Sequence, residues 1–169
     1  SEVSYNELAQ LLGADKNTIE KYIDLLEKTF IIFKISGYSK NVRNEIKRSR
    51  KIYFYDNGIR NAIIGNYQPI GSRTDLGALW ENYFISERVK VIANKIPGIK
   101  HYFWRTTQQQ EIDLIEEQGD ELMGFELKWN PNKKVKFPKT FTNAYPKAIC
   151  KVVTPTNMEN YLLPDSVTQ

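Results

Sequence analysis

Charged and apolar side chains alternate in two short segments of this chain, and these segments contain the residues best suited to chemistry. They run from Glu111 to Ile115 and from Phe125 to Trp129, and an acidic turn around Gly119-Asp120 separates them. Alternation with a period of two residues predicts a pair of strands, each with one apolar face and one polar face. Ile112 and Leu114 are expected to share the buried face of the first strand.

The turn determines which charged residues of the two strands meet. A hairpin centred on Gly119-Asp120 places Asp113 opposite Glu126, with Lys128 pointing into the same space. Two opposed carboxylates repel each other unless a proton or a cation lies between them, and Mg²⁺ is commonly held by one or two carboxylates. A shift of one residue in the pairing would separate this set.

An Asp followed, after a gap, by Glu-x-Lys on a neighbouring strand suits metal-assisted phosphodiester hydrolysis. Asp113 and Glu126 would hold Mg²⁺ or Mn²⁺, and Lys128 would position or deprotonate water and offset charge in the transition state. The pattern resembles the PD-(D/E)xK signature of restriction-endonuclease-like nucleases. The alternative is a solvated strand surface with cross-strand charge pairs. Glu81, at the edge of a helical apolar stripe, is either a third carboxylate for the metal or a surface acid.

The first part of the chain has the pattern of a winged helix. Apolar spacing predicts helices from Ser4 to Leu12, with Ser4 as the N-cap, and from Asn17 to Thr29. Strands are predicted at residues 30–33 and 51–55, with a basic loop, the wing, between them. Residues 1–66 are therefore expected to form a winged-helix-like domain, and the turn-rich residues 67–75 a linker.

Residues 76–169 are expected to form a second domain around the two charged strands. A helix is predicted from Leu76 to Glu87, a strand from Tyr102 to Arg105, and a further buried strand from Lys147 to Thr154. This order of elements predicts a mixed β-sheet flanked by helices. The expected fold class is thus α+β or α/β, with an N-terminal winged helix-turn-helix followed by this sheet. The resemblance to the PD-(D/E)xK signature implies that the sheet is restriction-endonuclease-like.

Basic residues are concentrated in two segments, although the net charge of the chain is only +4. Such clusters are typical of nucleic-acid-binding surfaces, but they also occur as ordinary solubilising charge. The second helix carries Glu20, Asp24 and Glu27, which argues against insertion into a major groove. Phosphate contacts, or a packing role without DNA, both remain open for the first domain. The predicted nucleic-acid-binding residues are Arg43, Lys47, Arg48, Arg50, Lys133, Lys134 and Lys136.

Composition excludes several classes of protein. The chain has 169 residues, of which 41% are hydrophobic and 26% are charged, and no apolar run reaches the roughly 20 residues of a membrane span. The single Cys150 and the single His101 exclude a zinc site of the usual Cys/His type. With no signal peptide visible, a cytoplasmic location and no membrane partner are expected. A Gly-rich phosphate loop is missing, so the chain itself is not expected to bind ATP.

The spacing of several motifs resembles a large prokaryotic family, a domain of unknown function that follows an AAA-type ATPase core. The resemblance covers nearly the whole chain, and it rests on the segments 5–9, 38–41, 51–58, 77–83, 111–115 and 125–128. It implies a C-terminal fragment of such an ATPase, as does the start at Ser1 without Met. ATP would bind only in the absent N-terminal part, the ATPase core would be a partner, and oligomerisation stays open.

Three functions follow as hypotheses. The first is a Mg²⁺-dependent nuclease-like domain that binds nucleic acid, with Glu81, Asp113, Glu126 and Lys128 as its catalytic residues. The second is a non-catalytic module that binds DNA or partner proteins for the ATPase, since a nuclease fold can also serve as a binding surface. The third is a transcriptional regulator that uses the winged helix, against which the acidic second helix argues.

Overall fold

The computed structural model describes residues 4–40 and 50–163. The helices of this part of the chain are α1 (Tyr5–Leu12), α2 (Lys16–Lys28), α3 (Asn57–Ile64), α4 (Leu76–Lys95), α5 (Lys139–Ala144) and α6 (Glu159–Leu162). The strands are β1 (Ile32–Gly37), β2 (Arg50–Phe54), β3 (Lys100–Arg105), β4 (Glu111–Gln118), β5 (Glu121–Leu127) and β6 (Ile149–Val153). None of the helices in these residues is long and apolar enough to cross a membrane.

The strands form one mixed sheet in the order β2-β1-β3-β4-β5-β6. The β1–β3 and β5–β6 pairs are parallel, and the other pairs are antiparallel. The prediction of a mixed α+β fold with helices around a mixed sheet is confirmed. Strands from both expected domains share this sheet, because Ser36 and Gly37 of β1 pair with Tyr102 and Phe103 of β3.

Both N-terminal helices begin and end where the sequence predicts, to within one residue. The Ser4 hydroxyl accepts the N–H of Glu7 at 3.3 Å, and Asp15 caps α2 by accepting the N–H of Thr18 at 3.0 Å. Gly13 ends α1 in the left-handed conformation, with φ of 63°. Such caps depend on neighbours in the sequence, which is why they can be predicted from it.

The start of β1 was predicted wrongly. Phe30 has φ of 57°, and its N–H bonds to the carbonyl of Glu27, while the N–H of Ile31 bonds to the carbonyl of Leu26. These two residues therefore close the end of α2, where they satisfy helix carbonyls that would otherwise lack partners. The side chain of Phe30 is 72% exposed and lies outside the apolar core.

The segment 67–75, expected to be a linker, is held in place by Arg73. The guanidinium of Arg73 bonds to Asp75 at 2.8 Å, to the side chain of Asn61 at 3.0 Å and to the carbonyl of Asn66 at 3.1 Å. Asn61 belongs to α3, which was not predicted. The signals for α3 are Asp56, whose carboxylate caps the helix, and Gly65, which ends it in the left-handed conformation.

Two apolar clusters cover opposite faces of the sheet. One includes Trp80 and Phe84 of α4 with Phe125 of β5, and the other includes Trp104 of β3 with Phe141 of α5. Tyr102, Phe103 and Trp104 of β3 alternate between the two clusters, as strand geometry requires. The sheet therefore has helices packed on both sides.

A β-bulge in β4 overturns the prediction that Ile112 and Leu114 share a face. Ile112 packs in the cluster with Trp104, whereas Leu114 packs in the cluster with Phe84. The pairing of β3 with β4 shifts between Tyr102 and Trp104, so β4 carries one extra residue there. Asp113 lies at this irregularity.

The last strand is an edge strand, which the sequence analysis took for a buried one. Ile149 of β6 is 53% exposed and Lys151 is exposed, while Val153 is fully buried. Among the strands that the structure describes, β6 pairs with β5 alone, so its other edge has no strand partner there.

A buried ion pair joins α4 to the centre of the sheet. Arg88 donates to both carboxylate oxygens of Glu116 at 2.9 Å, and the two residues are 6% and 5% exposed. Arg88 also donates to the carbonyl of Tyr161 in α6 at 2.5 Å. The pair thus connects α4, β4 and α6.

Replacing Glu116 with Gln should destabilise the protein by about 3 kcal/mol, because it leaves a buried guanidinium without its counter-charge. The neighbouring Glu117→Gln is the matched control. It breaks a pair with Lys40, whose side chain is 56% exposed, and should cost less than about 1 kcal/mol. Urea unfolding of both variants measures the difference, and equal losses would contradict this role of the Arg88–Glu116 pair.

Candidate functional site

The β4–β5 hairpin brings the predicted Asp and Glu together. Its turn is Gly119-Asp120, with Gly119 at φ of 57°, and Gln118 pairs with Glu121 on either side of it. The pairing continues to Leu114 and Phe125, which is the predicted register. Asp113 and Glu126 follow directly beyond this last pair. There the Asp113 carboxylate accepts the backbone N–H of Leu127 at 2.8 Å.

Lys128 completes this cluster. Its Nζ lies 2.6 Å from Oε2 of Glu126 and 3.6 Å from Oδ2 of Asp113. The side chains of Asp113, Glu126 and Lys128 are 15%, 12% and 25% exposed, so the cluster is partly shielded from water but still accessible. The structure therefore brings together three of the four predicted catalytic residues by direct contact.

Glu81 projects from α4 and is held by two donors from β2. Its Oε1 accepts a hydrogen bond from the Tyr53 hydroxyl at 2.6 Å and another from Lys51 Nζ at 3.2 Å. Lys51 also forms an ion pair with Glu111 of β4. Burial alone would raise the pKa of Glu81, but Lys51 and the Tyr53 hydroxyl outweigh it and lower that pKa.

Sequence analysis did not assign Lys51, Tyr53 or Glu111 to the site. A signal was present, since the period of two in β2 puts Lys51 and Tyr53 on the same face of the strand. What was missing was the knowledge that β2 joins the sheet that carries Asp113. From the sequence alone, Lys51 and Tyr53 were assigned to a separate winged-helix-like domain.

Negative charge exceeds positive charge at this end of the sheet. Among the described residues, two lysines, Lys51 and Lys128, face the carboxylates of Glu81, Glu111, Asp113 and Glu126. Arg105 adds a longer contact of 3.9 Å to Glu111. Asp113 is the group most affected: burial, and then the charges of Glu126 and Glu81, raise its pKa from 3.8 to about 7, despite Lys128 and Lys51.

The donor set fits a hard divalent cation held by two carboxylates. Asp113 and Glu126 offer oxygen ligands on adjacent strands, and a bound cation would relieve their repulsion, which together with burial raises the pKa of Asp113. Within residues 4–40 and 50–163, no group of three or more His, Cys, Asp or Glu side chains is placed to hold a metal. Mg²⁺ needs fewer protein ligands than this, because it keeps waters and binds substrate phosphates.

The predicted nucleic-acid-binding residues fall into two groups. Lys133, Lys134 and Lys136 are exposed on the irregular segment that follows the site strand β5. Arg50 is exposed at the start of β2. The other three, Arg43, Lys47 and Arg48, lie outside the described residues.

The acidic residues of α2 have a structural role that the sequence did not indicate. Lys34 of β1 forms ion pairs of 2.7 Å with both Asp24 and Glu27. These contacts hold α2 against the sheet. Two of the acidic residues that argued against insertion of α2 into a major groove therefore serve to pair with Lys34.

The Asp113 carboxyl should make stability depend on pH. Its pKa is raised in the folded state, so the folded protein binds this proton more tightly than the unfolded chain does. The protonated carboxyl therefore contributes its full stabilisation below about pH 4, and this stabilisation is lost as the pH rises through 7. Asp113→Asn removes the titrating group. In metal-free buffer the free energy of unfolding of the variant should therefore rise relative to that of the wild type as the pH increases from 4 to 7. At pH 8 the difference should be about 2 to 4 kcal/mol in favour of the variant.

Urea unfolding of both proteins across this pH range tests the prediction. Asp120→Asn in the exposed hairpin turn controls for the loss of a surface carboxylate. A variant that is less stable than the wild type at pH 8, or a difference that does not change with pH, would contradict the raised pKa.

Comparison with known proteins places the chain among uncharacterised relatives. Uncharacterized proteins of Mycobacterium bovis and Mycobacterium tuberculosis are each 30% identical to it over 125 residues, which is 72% of this chain and 27% of theirs. An uncharacterized protein of Haemophilus influenzae is 32% identical over 65 residues, 38% of this chain and 16% of its own length. The chain thus spans about a quarter, or less, of the length of these relatives. No solved structure matches it.

Two family models match the chain, one on each side of the segment anchored by Arg73. Residues 1–69 match a domain of unknown function, DUF8612, and residues 76–169 match another, DUF4143. The second match covers more than half of the chain and includes the three contacting residues Asp113, Glu126 and Lys128. The protein therefore belongs to the DUF4143 family.

Proposed function

We propose that this chain is a nuclease-like domain that binds nucleic acid and cleaves phosphodiester bonds with the help of Mg²⁺ or Mn²⁺. The observation that carries the proposal is the contact of one ammonium group, Lys128 Nζ, with both Asp113 and Glu126, at 3.6 and 2.6 Å. Opposed carboxylates with a lysine beside them match what metal-assisted hydrolysis of a phosphodiester needs.

Asp113 and Glu126 would hold the metal ion. When bound, the ion would polarise a phosphate oxygen and lower the pKa of a coordinated water. The hydrogen bond from the Leu127 N–H fixes the direction of the Asp113 carboxylate, so this ligand is oriented before any ion arrives. Lys128, which is 25% exposed, can reach an incoming phosphate and offset its charge.

The lysine-rich segment after β5 would bind the nucleic-acid backbone. Lys133, Lys134 and Lys136 are exposed and begin five residues beyond Lys128 along the chain. Contacts from such lysines to phosphates position a nucleic acid without reading its sequence. This fits a nuclease that selects its substrate by shape or context.

The rest of a longer protein would supply the energy-dependent part. The chain corresponds to only 27% of the length of its mycobacterial relatives. Its motifs resemble the domain that follows an AAA-type ATPase core, so ATP binding and hydrolysis would belong to that core. The core would then load or regulate the domain described here.

A non-catalytic interaction module is the second candidate function. Lys51 and Lys128 already neutralise part of the acidic cluster, so its carboxylates have less need of a metal ion, which favours this function. It is also compatible with the finding that the described residues contain no group of three or more metal-ligating side chains. In that case the same surface would bind DNA or a partner protein for the ATPase without cleaving anything.

Mn²⁺ should raise the melting temperature of the wild type and leave that of Asp113→Asn almost unchanged. At a concentration about 100 times the dissociation constant, a bound ion adds roughly 2.7 kcal/mol, which for a chain of this size is about 5 to 10 °C.

Cleavage of single-stranded and double-stranded DNA and RNA should require the ion and should be abolished in Lys128→Ala, while nucleic-acid binding is retained.

Lys95→Ala, at an exposed position near the end of α4, is the matched control for Lys128→Ala. Turnover by Lys128→Ala equal to that of the control would overturn the catalytic proposal. Absence of both the Mn²⁺ effect and any cleavage, in this chain and in the full-length protein with ATP, would favour the interaction module.

Changing Lys133, Lys134 and Lys136 together to Gln should weaken nucleic-acid binding and reduce its salt dependence. Each lysine that neutralises one phosphate of duplex DNA contributes about 0.9 to the slope of log affinity against log salt. The control changes Lys21, Lys28 and Lys95 to Gln, which removes the same charge from exposed positions on α2 and α4. Fluorescence anisotropy at several salt concentrations measures both slopes, and equal slopes would assign the first three lysines to solubility.

A further inference from the structure

Lys51 is the most buried charged residue of the site and belongs to a strand far from Asp113 in sequence. Its side chain is 5% exposed, compared with 25% for Lys128. Its Nζ contacts Glu81 of α4 at 3.2 Å and also pairs with Glu111 of β4. The ring of Phe103 lies beneath it, with the ring centre 5.3 Å from Nζ.

In this arrangement the Lys51 ammonium group bridges the carboxylates of Glu81 and Glu111. Carboxylates from two different elements converge on one compact positive charge, as they would on a divalent ion. The Phe103 ring favours a cation through its π-face and excludes water from that side. The Tyr53 hydroxyl, 2.6 Å from the same oxygen of Glu81, fixes that carboxylate further.

We propose that Lys51 is a positioning residue that takes the place of a second metal ion, so that the site binds one divalent cation. Nucleases with two ions hold them about 3.5 to 4 Å apart. Here Lys51 holds Glu81 and Glu111, and Asp113 with Glu126 is left for a single ion. The part of this inference that concerns the single ion rests on the proposed function.

The same contacts make the site depend on the N-terminal part of the chain. Lys51 and Tyr53 lie on β2, which among the described strands is hydrogen-bonded to β1 alone. Strand β2 therefore supplies the groups that orient Glu81. Lys51 and Tyr53 lie in the segment that matches DUF8612, whereas Asp113 lies in the segment that matches DUF4143. Residues of the first segment therefore contribute to the site of the second.

Counting bound Mn²⁺ ions tests the proposal without any need for a substrate. Isothermal titration calorimetry, together with electron paramagnetic resonance of free Mn²⁺, should give one ion for the wild-type protein. In Lys51→Met, which keeps the length of the side chain but removes the charge, Glu81 and Glu111 lose their cation. That variant should bind two ions.

A charge-balanced double variant controls for damage to the fold. Lys51→Met with Glu111→Gln removes one charge of each sign, so it should bind one ion, as the wild type does. Circular dichroism and thermal unfolding in EDTA show whether each variant is folded. If Lys51→Met alone does not fold, Glu111→Gln by itself still tests the proposal, because it keeps Lys51 and should bind one ion.

The outcomes separate this proposal from the proposed function. Two ions in the wild type, no gain in folded Lys51→Met, or no ion bound by Glu111→Gln when the wild type binds one would overturn the role of Lys51. No ion in the wild type but one in Lys51→Met would support Lys51 as the replacement cation while overturning the metal site at Asp113 and Glu126. No ion in either protein would overturn both.

Discussion

The repulsion between Asp113 and Glu126 is the constraint on which the rest of the site depends. The β4–β5 hairpin places these two carboxylates next to each other, and both are largely buried. Such a pair is unfavourable unless positive charge or a proton compensates it. Lys128 supplies part of that compensation, since one ammonium group faces two carboxylates. Burial first, and then the charges of Glu126 and Glu81, raise the pKa of Asp113 to about 7. An incompletely neutralised pair is suited to binding a cation.

The sheet converts this local pair into a larger charged network. Because β2 pairs with β1 and β1 pairs with β3, Lys51 of β2 lies beside Glu111 and under α4. The long helix α4 contributes Glu81 to the same network, and the Arg88–Glu116 ion pair fixes this helix on the sheet. The two family matches therefore meet in one sheet and one network of charges, although they are separate in sequence.

The bulge in β4 shows why a regular strand pattern described the site only in part. Strict alternation would put Ile112 and Leu114 on one face, but they pack in clusters on opposite faces. The hairpin register was nevertheless predicted correctly, because the turn at Gly119-Asp120 fixes the β4–β5 pairing independently of β3. The bulge arises on the other side of β4, from the match with β3, and no local feature of the sequence specifies that match.

The sequence by itself determined the features that depend on near neighbours. These are the caps of α1 and α2, the hairpin turn, and the cluster of Asp113, Glu126 and Lys128. Only the tertiary structure decided that Lys51, Tyr53 and Glu111 belong to the same site. The reason is physical: a contact between Lys51 and Glu111 depends on the order of the strands in the sheet. That order is set by how all the apolar faces pack together, and not by the residues around either partner.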